Sequence, residues 1–118
     1  MAVFDVNALS AELGATGQSY LEFIRQSSLS MGLYELKAGQ PDLQEPHTED
    51  ETYLVMKGRA RFKQGDEEFE VGPGTVIYVP ANVEHRFFDI KEDLSAMVFF
   101  APAEQSKRAT DEGVDATG

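Results

Sequence analysis

The stretch from Gly39 to Gly58, GQPDLQEPHTEDETYLVMKG, carries one of only two histidines in the chain. The other lies between Gly74 and Asp89, in GTVIYVPANVEHRFFD. Each histidine adjoins a run of β-branched and aromatic residues (TYLVM after His47, RFF after His85), which reads as strand rather than helix. Glu45 and His47 are two positions apart and would face the same side of a strand. His47 and Glu51 are four apart, about 13 Å along a straight strand and too far to share an ion. The turn-prone Thr48-Glu49-Asp50 between them predicts a bend that returns Glu51 to His47. His85 then has to arrive from a distant strand, which a rolled barrel allows. Imidazole nitrogen and carboxylate oxygen suit a divalent transition metal. Two His and one carboxylate form the facial set that keeps positions open for substrate or oxygen.

The same texture continues on both sides. YLEFIRQ, SLSMGLYELK, TYLVMK, RARFKQ, EEFEV, TVIYVP, EHRFFDI and LSAMVFFA are short β-type runs bounded by turn formers. Gly65-Asp66 marks a hairpin, and Gly72-Pro73-Gly74 forces another turn. Ahead of them, residues 7–13 (NALSAEL) read as one short helix, with Asn7 as its N-cap and Gly14 as its stop. Eight short strands and almost no helix predict an all-β antiparallel sandwich or barrel. Residues 104–118 are polar and aperiodic, which predicts a disordered tail behind a single domain spanning 1–103.

Composition narrows the function. At 118 residues the chain holds one core and no second. It has no cysteine, which excludes disulfides, thiolate metal sites and cysteine nucleophiles, and which fits a cytoplasmic protein. The net charge of −11 repels nucleic acid and anionic membrane surfaces, so neither is an expected partner. The N-terminal segment has no basic start and no long apolar run, and is not expected to act as a signal peptide.

The two histidine segments together resemble the paired motifs of the cupin superfamily. The family's first motif is G-x5-H-x-H-x3,4-E-x6-G, and Gly39, Glu45, His47, Glu51 and Gly58 reproduce its spacing, with Glu45 where the first histidine stands. The second is G-x5-P-x-G-x2-H-x3-N, matched by Gly74, Pro80, His85 and Asp89. Asn82 replaces its second glycine, and asparagine tolerates the left-handed backbone a turn there needs. The resemblance implies a double-stranded β-helix, an antiparallel jelly-roll barrel. It implies a divalent transition metal (Fe, Mn, Ni or Zn) on His47, Glu51 and His85, with Glu45 as fourth ligand or general base. A second carboxylate would favour Fe(II) or Mn(II) over Cu.

By the same resemblance the chain is expected to be a metalloenzyme acting on a small organic molecule. Quercetinase-like dioxygenation leads, followed by isomerase or lyase chemistry, and a non-catalytic ligand-binding module is the alternative. A homodimer is expected from the resemblance and from the abundance of strand edges that need cover. Tyr53, Phe87, Met97 and Phe99 are candidates to line a pocket, although such residues are more often plain core.

Overall fold

The computed structural model describes residues 3–104. The predicted tail therefore lies outside the described residues from position 105 onward. One helix, α1 (Val6–Thr16), precedes six strands: β1 (Tyr20–Gln26), β2 (Leu29–Leu36), β3 (Asp50–Gln64), β4 (Glu67–Val71), β5 (Val76–Val79) and β6 (His85–Ala101). The helix starts one residue before the predicted segment because Asp5, not Asn7, caps it, accepting a hydrogen bond from the Ala8 amide at 3.0 Å. It runs through Gly14 and stops at Gly17, whose left-handed backbone (φ 73°) ends the turn. Among the described residues no helix is long and apolar enough to cross a membrane.

All strand pairs are antiparallel, in the order β1-β2-β6-β3-β4, and β5 pairs with residues 51–54 at the start of β3, on the edge away from β6. Two predicted pairs of runs fuse. TYLVMK and RARFKQ are one 15-residue strand, and EHRFFDI and LSAMVFFA are one of 17 residues. Gly58 and Asp89 bend these strands without ending them. Both have positive φ (93° and 48°), and the β3–β6 ladder slips register on both sides of Lys57 and between Arg59 and Arg61. Such bulges curl two long strands into a barrel where flat strands would splay.

Gly58 is required on a second ground. A Cβ there would sit 2.4 Å from the Asp93 carbonyl oxygen on β6. Gly58→Ala is therefore expected to destabilise the fold by roughly 3 kcal/mol, from backbone strain and overpacking together. Urea unfolding measures this, and a loss below roughly 1 kcal/mol would show that the bulge relaxes freely.

The bulge at Asp89 also switches which side chains face inward. Before it, His85 and Phe87 are buried; after it, Leu94, Val98 and Phe100 enter the core. The interior is packed with aromatic rings: Tyr53, Phe62 and Phe87 are fully buried and meet edge to face with centroids 4.8–5.7 Å apart. A smaller cluster of Leu9, Leu13 and Leu33 seats α1 on the outside of the sheet.

Candidate metal centre

The loop from Lys37 to Glu49 delivers His47, and a buried carboxylate holds that loop in place. Asp42 accepts hydrogen bonds from the Tyr34 hydroxyl (2.5 Å), the Gln44 side-chain amide (2.9 Å) and the Phe87 backbone amide (2.8 Å). Gln44 in turn accepts from the Tyr53 hydroxyl at 2.8 Å. The second histidine segment grips the first, because the Asn82 amide donates to the His47 carbonyl at 2.7 Å. Asn82 takes the left-handed conformation (φ 67°) foreseen for a residue replacing glycine.

The backbone bends at Thr48 and Glu49, and Glu51 returns beneath His47 as the turn-prone residues predict. Glu51 Oε1 lies 3.5 Å from His47 Nδ1 and 2.8 Å from His85 Nε2. One ligand atom from each of His47, Glu51 and His85 falls within 4.8 Å of the others, so the three are positioned to hold one ion. His47 Nδ1, both Glu51 oxygens and His85 Nε2 are buried, and the ion pairs that reach them run within the cluster itself. Buried polar atoms are normally satisfied by hydrogen bonds, and a buried cluster whose ligand atoms face one another fits a metal ion.

Both rings are also turned correctly. His85 Nδ1 lies 2.9 Å from the Val83 carbonyl and donates to it, leaving the Nε2 lone pair for the centre. His47 Nε2 lies 3.0 Å from Glu104 Oε2, which assigns its proton there and leaves Nδ1 free. Burial alone lowers the pKa of His47. The hydrogen bonds and charges of Glu104 and Glu51 outweigh that and raise it to about 9. His85 is raised too, its burial overcome by the Glu51 carboxylate. Burial likewise pushes Glu51 up, but the two imidazoles win and hold it below the usual carboxylate range. Glu51 is thus a buried anion waiting for a cation.

Glu104 is the residue the sequence reading missed, having been assigned to the tail. Its backbone amide donates to Ser30 Oγ at 2.8 Å, and its carbonyl accepts from Arg25 at 2.9 Å. Its carboxylate is thereby anchored over His47. Glu104→Gln is expected to weaken metal binding roughly 10–100-fold, the usual cost of losing the group that orients a ligating histidine. Chelator competition reads this, and unchanged affinity would reduce Glu104 to a surface contact.

Glu45 does not join the cluster. It is exposed, because residues 37–49 form a loop in which the two-residue alternation of a strand does not operate. The cavity above the centre, about 150 Å³, is lined by Tyr20, Tyr34, Gln44, His47, Glu51, Val98, Phe100 and Glu104. Of the expected lining, Tyr53 and Phe87 belong to the core. Met97 and Phe99 alternate with Val98 and Phe100 and so face the opposite side of β6. The inward switch after Asp89 is the reason.

A jelly-roll barrel that brings two histidines and a glutamate from distant segments to one buried point, positioned to hold a metal ion, defines the class. The chain belongs to the cupin family: residues 32–102 match the cupin domain model. It is 46% identical over 104 residues to an uncharacterized protein of Streptomyces coelicolor, covering 88% of this chain and 99% of that one. Two solved structures share the fold at low identity. A RmlC-like cupin with a double-stranded β-helix fold from Methanocaldococcus jannaschii aligns with a TM-score of 0.65 at 19% identity, over 70% of this chain and 78% of that one. The DMSP lyase DddQ of Ruegeria pomeroyi aligns with a TM-score of 0.60 at 23% identity, over 64% of this chain and 39% of that one.

Proposed function

We propose that this cupin is a metal-dependent enzyme that removes a proton next to a carbonyl in a small organic molecule, a lyase- or isomerase-type reaction. The observation that carries the reading is the convergence of His47, Glu51 and His85 on one buried point, beside a cavity that His47, Glu51 and Glu104 line. The volume, about 150 Å³, is well under the roughly 300–1,000 Å³ that drug-sized ligands occupy, which favours a small substrate over a flavonol. His47, Glu51 and His85 would hold a divalent Fe, Mn, Ni or Zn ion, which supplies Lewis acidity to an oxygen of the substrate. Glu104 takes over the general-base role expected of Glu45, since it lies inside the cavity and Glu45 does not. Val98 and Phe100 supply the apolar wall. The fold shared with a DMSP lyase agrees with elimination chemistry.

Dioxygenation is the second reading, favoured by a centre with only three protein ligands. Metal-loaded protein incubated anaerobically in D2O with small neutral hydroxyketones separates the two. The first reading expects deuterium beside the carbonyl by NMR, abolished in Glu104→Gln with metal in excess. Oxygen uptake by the Fe(II) form without exchange would support dioxygenation instead. Neither signal would return the barrel to a non-catalytic binding module.

A further inference from the structure

Three tyrosines line or pack beside the barrel interior, and they are treated differently. Tyr34 gives its hydroxyl to Asp42 and Tyr53 gives its hydroxyl to Gln44. The Tyr20 hydroxyl is shut from solvent yet has no hydrogen-bond partner among the described residues. It belongs to the lining of the same cavity as His47, Glu51 and Glu104. An unpaired buried hydroxyl is costly, and its persistence calls for a partner that the described residues do not supply.

The ring is held there by a space made for it. Tyr20 pairs with Tyr34 across β1 and β2, and its ring leans diagonally over Gly32, two residues along β2. A Cβ at Gly32 would stand 2.1–2.4 Å from the ring carbons and hydroxyl oxygen of Tyr20, so any side chain there would evict the ring. Gly32 is in an ordinary extended strand, where glycine lowers stability, and backbone freedom does not explain it. The Tyr34 ring meets Tyr20 edge-on at 6.3 Å and fixes it from the side.

We propose that Tyr20 is a ligand-binding residue whose O–H donates to the carbonyl oxygen of the small molecule in this cavity, and that Gly32 is its cradle. The assignment rests on reading the cavity as the substrate site. A carbonyl oxygen is chosen because the proposed proton abstraction sends charge to such an atom, and because Glu104 opposes an anion placed beside it. The ligand's apolar part then lies against Val98 and Phe100. During proton abstraction the C–H bond breaks, the proton passes to Glu104, and the electron pair moves toward the carbonyl oxygen. The Tyr20 hydroxyl, on the lining of the same cavity, would stabilise that charge by donating to the oxygen.

The probe is isobutyramide, a small branched carbonyl compound inert to exchange, titrated by NMR into zinc-loaded and zinc-free protein. Wild type is expected to bind it, and Tyr20→Phe, which keeps the ring on its cradle, to bind roughly tenfold more weakly with unchanged zinc content. Gly32→Ala is expected to show the same deficit. Equal affinity in wild type and Tyr20→Phe, or no binding by wild type, would overturn the proposal. If wild type fails to take up zinc, the metal reading fails on its own. The zinc-free titration still decides Tyr20, since a tenfold deficit there supports its role and no deficit removes it.

Discussion

Glu51→Gln is expected to empty the metal centre: protein purified with stoichiometric metal in the wild type should carry essentially none. Glu51 is the one anion at the floor of the cavity and the group both imidazoles approach, at 3.5 and 2.8 Å from its Oε1. An amide there is neutral and offers a weaker donor, so a divalent cation would be held by two neutral imidazoles in a buried site with no charge to balance it. The loss should exceed the roughly 10–100-fold expected for an orienting residue such as Glu104. The metal-free variant should also be less stable than metal-free wild type at neutral pH, since Glu51 is the chief cause of the raised His85 pKa and, after Glu104, contributes to that of His47. Elemental analysis with chelator competition reads the first effect and thermal unfolding the second. Full metal retention in Glu51→Gln would place the ion elsewhere.

Metal affinity should climb steadily between pH 6.5 and 9 instead of levelling off at the ordinary histidine pKa. Folding raises His47 from 6.5 to about 9, so across this window a metal ion must displace a proton from it. One displaced proton makes apparent affinity rise about tenfold per pH unit, flattening above about 9. His85, also raised, steepens the lower part of the curve. The metal-free protein should show the opposite trend. The stabilisation from protonated His47 is fully present below 6.5, the unfolded value, and is lost as pH rises through about 9. Metal-induced gains in Tm should therefore widen with pH. Because Glu104 supplies part of the shift, Glu104→Gln should move the break in the affinity curve to lower pH. A curve that is flat from pH 7 upward in wild type would contradict the ion pairs seen around His47.

The parts of this protein that were legible in its sequence are those set by local chemistry. Turn formers located the Gly65-Asp66 hairpin, and the bounds of β1 and β4 coincide with YLEFIRQ and EEFEV. The spacing around His47, Glu51 and His85 located the three clustered groups. What escaped depends on long-range pairing. Gly58 and the polar residues 91–93 read as breaks between strands, yet in these long paired strands the positive φ of Gly58 and Asp89 makes bulges. The parity change at Asp89 then moved the cavity wall from Met97 and Phe99 to Val98 and Phe100. Glu104 follows the last strand in a polar stretch without periodicity, and only the packing of the chain end on Ser30 and Arg25 reveals it. The Tyr20–Gly32 fit joins two strands through a shape that no sequence pattern encodes.

The central claim, that one ion sits between His47, Glu51 and His85, is tested most directly by anomalous diffraction at the metal's absorption edge from crystals of the metal-loaded protein. A single peak per chain is expected within bonding distance of His47 Nδ1, Glu51 and His85 Nε2, with Glu104 on the far side of the His47 ring. No peak there at full metal loading, or a peak on the exposed acids such as Glu45 and Asp50, would contradict it.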